Sequence, residues 1–170
     1  MTKGSDFRVL IDSGEGRRIP GTIFKVSTED TRGTLSIWEH PYPPGVLVPP
    51  HAHASHDQVM FVIEGVVGAR IGDEEFTARP GAYLNKPRGV PHTMWNAGPD
   101  SARVMEITTP GGLEAFVEGI AGILWGGGSP DRRTISEHAA KYDTTLVMDW
   151  VPELERKYKV HLMGGAASRP

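Results

Sequence analysis

An all-β barrel or sandwich, with helices added after it, is the fold class this sequence predicts. Two observations carry it. Between residues 22 and 108 the chain divides into short β-branched and aromatic runs, separated at regular intervals by Gly, Pro and Asp turn residues. The 21 glycines and 14 prolines suit a chain with many turns. Beyond Pro110-Gly111-Gly112 the period changes. Leu113, Phe116, Val117, Ile120, Ile123 and Leu124 recur at helical spacing and form one apolar stripe. Such a stripe covers the open side of a sheet.

Taken in order, residues 7–12 (FRVLID) read as a first strand and 13–18 as a turn. Residues 22–28 and 34–40 are the next strands. The parity of the latter puts Ser36, Trp38 and His40 on one face, with Leu35, Ile37 and Glu39 on the other. Residues 41–45 interrupt pairing, because proline cannot donate to a ladder. Strands follow at 46–53, 58–64 and 66–71. Gly72-Asp73 makes a hairpin turn to 74–78. Residues 82–86, 92–96 and 103–108 complete the set. A first helix spans the apolar stripe and ends at the glycine-rich 126–130 loop. A second covers 135–142, with Ser136 as its cap, and a third covers 150–158, capped by Asp149. These readings give a barrel over 1–110, a helical extension of the same domain over 111–163 and a flexible tail over 164–170.

With 170 residues the chain has material for one domain with a full core. Its charge of −3 gives no basic face for nucleic acid or anionic membrane. There is no cysteine, so disulfides, thiolate ligands and a cysteine nucleophile are excluded. Residues 1–6 lack an apolar signal run and no stretch is long enough to span a bilayer, which makes a cytoplasmic protein the expectation.

The chemistry concentrates in residues 51–65, HAHASHDQVMFVIEG. Alternation along a strand points His51 and His53 to one face, where two imidazoles can share a divalent metal. His92 supplies a third imidazole from a distant strand. A lone histidine is more often a hydrogen-bonded core or surface residue. Three together read as metal ligands, since imidazole is the commonest transition-metal ligand. His56 falls at the rim of this group, His138 and His161 in the solvated tail, and His40 beside Trp38 either in the pocket or in a structural role.

The two histidine stretches follow the bipartite signature of the cupins. The first part is Gly45, His51, His53, Gln58 and Gly65, and the second is Gly81, Pro87, Gly89, His92 and Asn96. The chain therefore resembles a single-domain cupin, a double-stranded β-helix or jelly-roll barrel. Residues 87–93, 109–116 and, more weakly, the tail near Lys157-Tyr158 are similar to quercetinase-like bacterial cupins. The resemblance covers roughly residues 34–125. It implies one divalent metal ion per chain (Fe, Mn, Ni, Cu or Zn), often a homodimer, and oxygen-dependent ring cleavage of flavonol-type substrates. Similar small cupins also act in aromatic polyketide pathways, where they assist cyclisation.

Gln58 stands where most cupins carry a glutamate. An amide oxygen can coordinate, as in the phosphomannose isomerases of the superfamily, or it can hydrogen-bond a metal-bound water. It cannot serve as a base, and it leaves the metal's charge undiminished, which favours an anionic enolate or phenolate oxygen on the metal. Asp57 is a fallback carboxylate that parity turns outward. The expected metal set is His51, His53, Gln58 and His92. Gln58 and Tyr83 are candidate catalytic residues, and Trp38, Met60, Met94 and Asn96 candidate substrate contacts. Phe61, Ile63 and Trp95 face away from the barrel, toward helices or a second subunit. Three functions stay open. One is a dioxygenase using O2 on an aromatic or enolic small molecule. The others are a metal Lewis-acid cyclase or isomerase, and a non-catalytic binding protein.

Overall fold

The computed structural model describes residues 9–125 and 132–163. Two facing sheets make the barrel. The first is formed by β1 (Arg17–Ile19), β2 (Thr22–Val26), β3 (Ser36–Tyr42), β6 (Asp57–Glu64), β9 (Tyr83–Lys86) and β11 (Ala102–Thr109), in the order β1-β2-β3-β11-β6-β9. The second is formed by β4 (Val46–Leu47), β5 (His51–His53), β7 (Val67–Ile71), β8 (Glu74–Ala78), β10 (His92–Trp95), β12 (Thr144–Leu146) and β13 (His161–Leu162). Its path is β12-β5-β10-β4-β13, with β7 joining β10 to β8. All pairings are antiparallel except β13 on β4. β3, β11 and β6 form the longest ladders.

Between the sheets, one end is filled by Tyr42, Val46, Met60, Val62, Val67, Ala69, Leu84, Met94 and Val104. Tyr42, Val46 and Met94 of this cluster also border the open end. The other end stays open between the sheets and is closed by helices. α1 (Glu114–Trp125) and α2 (Arg132–Ala140) bring Leu113, Phe116 and Ala139 onto Phe24 and Trp38. The apolar stripe of α1 thus covers an open face, as its periodicity predicts. α3 (Val151–Tyr158) covers the outside of the second sheet, where Val151, Leu154 and Val160 bury Leu47 and Trp95. Trp95 therefore packs on a helix of its own chain, stacked on Tyr158 with ring centroids 4.4 Å apart.

Several expectations change. Val9 to Asp12 is not a strand, and the rest of the 7–12 segment lies outside the described residues, as do the 126–130 loop and the 164–170 tail. Arg17–Ile19, read as turn, pairs with β2. The 46–53 strand splits at Pro49-Pro50, because neither proline can donate to a ladder. Asp149 does not cap α3. It lies within a 3-10 turn, Met148–Trp150, that leads into the helix, and Trp150 takes the cap position without a side-chain bond. β12 and β13 were hidden in a tail whose pattern reads as helix and coil.

Candidate metal centre

Sheet register assembles the histidines. β5 holds His51 and His53 on one face, and His92 on β10 lies directly opposite His51. Their ring centroids are 4.8 Å (His51–His53), 4.5 Å (His51–His92) and 5.7 Å (His53–His92) apart. One ligand atom from each can be chosen so that all lie within 4.8 Å of one another. This is the only such His, Cys, Asp or Glu group of three among the described residues.

The hydrogen bonds of the rings fix which nitrogen is free. His51 Nδ1 lies 2.7 Å from the Pro49 carbonyl, and His92 Nδ1 lies 3.0 Å from the Val90 carbonyl. A carbonyl only accepts, so both Nδ1 atoms carry the hydrogen. His53 Nδ1 lies 2.8 Å from Thr144 Oγ1, whose own hydroxyl donates to the Tyr142 carbonyl at 3.0 Å. The threonine oxygen therefore accepts from His53 as well. All three rings keep an Nε2 lone pair, and His92 Nε2 is buried without a partner. Outer hydrogen bonds of this kind set tautomer and ring direction at metal sites. Replacing Thr144 by valine is expected to weaken metal binding by roughly 10–100-fold with the fold intact, measured by competition against a chromogenic chelator.

Burial keeps these rings neutral. It lowers His51 to about 4 and His53 to about 2, and holds His92 well below the ordinary value of 6.5. The neighbouring imidazoles and the Lys86 ammonium add to the shift of His53 and His92, and Lys86 to that of His51. A metal meets ligands that need lose no proton at neutral pH. The sign of the pH effect follows. In chelator-treated protein the unfolded chain takes up protons near pH 6.5 that the folded chain refuses. Stability is therefore complete above pH 6.5 and falls as pH drops from there toward 4. Thermal unfolding at pH 7.5, 6 and 5 reads this slope, and a flat melting temperature contradicts it.

Gln58 is buried on β6, facing the histidines from the first sheet. Its Nε2 donates to Thr108 Oγ1 at 3.3 Å, which leaves Oε1 as a buried acceptor without a partner. Three neutral imidazoles and an orphaned amide oxygen at one end of a cavity are a donor set that fits a divalent transition metal.

The cavity next to these groups measures about 130 Å³. Trp38, Met94, Phe116, Val117, Ile120 and Leu124 give it apolar walls. The floor is polar and was not foreseen. Lys86 on β9 donates to Glu106 Oε1 at 2.6 Å, with the two residues only 1% and 2% exposed. His40 also lines the cavity, held by Thr22 Oγ1 and the Gly21 carbonyl, each 3.0 Å from Nδ1.

Not every expected residue reaches the site. Trp38 and Met94 line the cavity, but Met60 belongs to the packed end of the barrel. Asn96 is structural: its Nδ2 donates to the Tyr42 and Asp100 carbonyls, and its Oδ1 accepts from Gly98 N–H. Tyr83 cannot act in the cavity. It is 67% exposed on the outer face of β9, its ring 4.7 Å from that of Phe61. Gln58 pairs in register with Lys86, so Leu84 and Lys86 point inward and Tyr83 and Asn85 outward. Asp57 turns outward as parity requires and pairs with Arg88. His56 sits at the rim, 6.3 Å from the His53 ring. His138 is half-buried rather than free in solvent. Its Nε2 lies 3.1 Å from the Phe116 carbonyl and its ring stacks on Phe116.

Fold and site together define a small β-barrel with a three-histidine centre at its helix-covered end. Residues 38–108 match the family described as the cupin domain. A solved structure described as "a predicted oxalate decarboxylase" from Thermotoga maritima shares the fold, with a TM-score of 0.51 and 16% identity over 52% of this chain and 78% of that one. The TT1209 protein from Thermus thermophilus is 29% identical over 46% of this chain and 74% of its own, with a TM-score of 0.44. KdgF from Halomonas sp. is 24% identical over 54% and 81%, with a TM-score of 0.46. No curated protein matches the chain. Among the described residues no helix is long and apolar enough to cross a membrane.

Proposed function

We propose that this cupin is a metal-dependent dioxygenase acting on a small enolic or phenolic compound that binds through its oxygen anion. The observation that carries the reading is the set of three neutral imidazoles offering Nε2 lone pairs into an apolar cavity, with no carboxylate among them. His51, His53 and His92 would hold one divalent ion, with Gln58 Oε1 as a fourth ligand. Such a donor set suits iron, manganese, nickel, copper or zinc. Bound there, the ion would supply Lewis acidity toward a substrate oxygen and, if redox-active, a route for electrons to O2.

The chain's residues supply the rest. Uncharged ligands leave the centre cationic, so an enolate or phenolate oxygen is favoured over the neutral compound. Trp38 and Phe116 add aromatic surface to the cavity lining, which suits a flat substrate and excludes water. The cavity volume supports a substrate of single-ring size, since an apolar cavity of about 150 Å³ takes one benzene ring. Gln58 cannot take a proton, so it holds position and does not act as base.

Elemental analysis of untagged protein, followed by oxygen-electrode screening of single-ring enols and phenols, tests the proposal. Redox-active metal near one per chain with substrate-dependent oxygen uptake supports it. Zinc alone without oxygen uptake moves the function to Lewis-acid isomerisation or cyclisation. No metal and no turnover leaves a binding protein.

A further inference from the structure

The cavity floor holds two buried polar atoms that neither the fold nor the metal ligands use. Trp38 Nε1 is a donor and Glu106 Oε2 an acceptor, and both are buried without a hydrogen-bond partner. Their residues are only 1% and 2% exposed, and both line the cavity. They are direct cross-strand partners on β3 and β11, so their side chains rise side by side from the same face. Native proteins seldom leave buried polar groups unpaired, and exceptions gather where a ligand supplies the missing partner. The two atoms are complementary in kind. A ligand oxygen that accepts from the indole N–H and donates its own hydrogen to the carboxylate satisfies both, and a hydroxyl is the smallest group that does so.

Lys86 makes this acceptor unusual. Its ammonium holds Glu106 Oε1 and thereby orients Oε2. The ion pair is built into the first sheet, whereas the three histidines belong to the second. Glu106 is not part of the compact histidine group. The polar floor is therefore a separate recognition point within one cavity.

We propose that Trp38 Nε1 and Glu106 Oε2, with Lys86 as the positioning residue, form a hydroxyl-recognition subsite. The ligand class is then a ring carrying a second hydroxyl apart from the oxygen that faces the histidines. This deepens the proposed function and rests on it for the first oxygen only. An ether or a bare carbon at the second position leaves the carboxylate unpaired, and a site built for a hydroxyl rejects such analogues strongly.

The test compares resorcinol with 3-methoxyphenol, which differ in whether the second oxygen can donate and cannot chelate one metal through both oxygens. Affinities are measured by calorimetry on the full chain as purified. Resorcinol is expected to bind ~10-fold or more tightly, the value of one hydrogen bond to a charged group. In the paired variant Lys86→Met/Glu106→Leu the ratio should fall to about one, whereas Trp38→Phe removes a donor that either oxygen can accept from and should weaken both probes while keeping the ratio. The paired change leaves no lone buried charge, so it also guards against a variant that fails to fold. The Trp38 indole N–H resonance, assigned by its loss in Trp38→Phe, should move when resorcinol binds. Equal affinities in the wild type, binding of neither probe, a ratio that survives in the paired variant, or affinities for both probes unchanged in Trp38→Phe overturns the subsite. A chain that discriminates the probes but holds no metal keeps the subsite and removes the dioxygenase reading. Metal and oxygen uptake without discrimination does the reverse.

Discussion

Alanine at position 92 is expected to abolish metal retention, with affinity falling on the order of 100-fold or more. His92 is the ring that joins the site. It stands opposite His51 across the β5–β10 pairing, and its centroid lies within 5.7 Å of both other rings. Without it, His51 and His53 remain as two ligands on one short strand, fewer than the three protein ligands an open metal site keeps. Stability gives an independent readout. An ion that binds only the folded chain adds about 2.7 kcal/mol when present at 100 times its Kd. For a chain of this length that is a rise of roughly 5–10 °C in melting temperature. The wild type should show the rise on metal addition, and His92→Ala should not. The metal-free variant should melt close to metal-free wild type, because the lost packing is offset by removal of a buried, unpartnered Nε2. A variant that still carries one metal per chain would place the centre elsewhere.

Much of this centre was legible in the sequence because its signals are local. The spacing of His51 and His53 fixes their shared face, and Pro87-Arg88-Gly89-Val90-Pro91 presents His92. The helical stripe at Leu113 to Leu124 likewise announces a cover for an open face. What was not legible depends on register between distant strands. On β9 parity left two choices, Tyr83 with Asn85 or Leu84 with Lys86, and only the pairing with Gln58 decides between them. A lysine inside a barrel is the less expected choice, since lysine is almost never fully buried unless paired. Its partner was hidden by an inversion on β11. There Val104, Glu106 and Thr108 are buried while Met105 and Ile107 are only half-buried. The usual rule, apolar inward and polar outward, gives the wrong face for such a strand. Thr144 was invisible for a third reason. It reaches His53 from β12, a strand 91 residues further along the chain.

The same ion pair carries the second large expected effect. Removing one partner of a buried pair strands the other charge and costs about 3–5 kcal/mol, whereas replacing both with apolar residues is often neutral or stabilising. Glu106→Leu alone should therefore lower the melting temperature by roughly 10 °C or more, and Lys86→Met/Glu106→Leu should recover most of that loss. The two single variants should differ once metal is present. Glu106→Leu leaves an unbalanced ammonium that already disfavours positive charge on His51, His53 and His92. A divalent cation bound to these rings meets the same repulsion, so metal affinity should fall. Lys86→Met removes that repulsion and leaves a carboxylate facing the centre, so affinity should rise even as the metal-free protein loses stability. Metal titrations followed by melting temperature separate the cases. Opposite shifts in metal affinity for the two variants establish that the pair and the histidines share one electrostatic environment. Parallel shifts would mean that both changes act through unfolding alone.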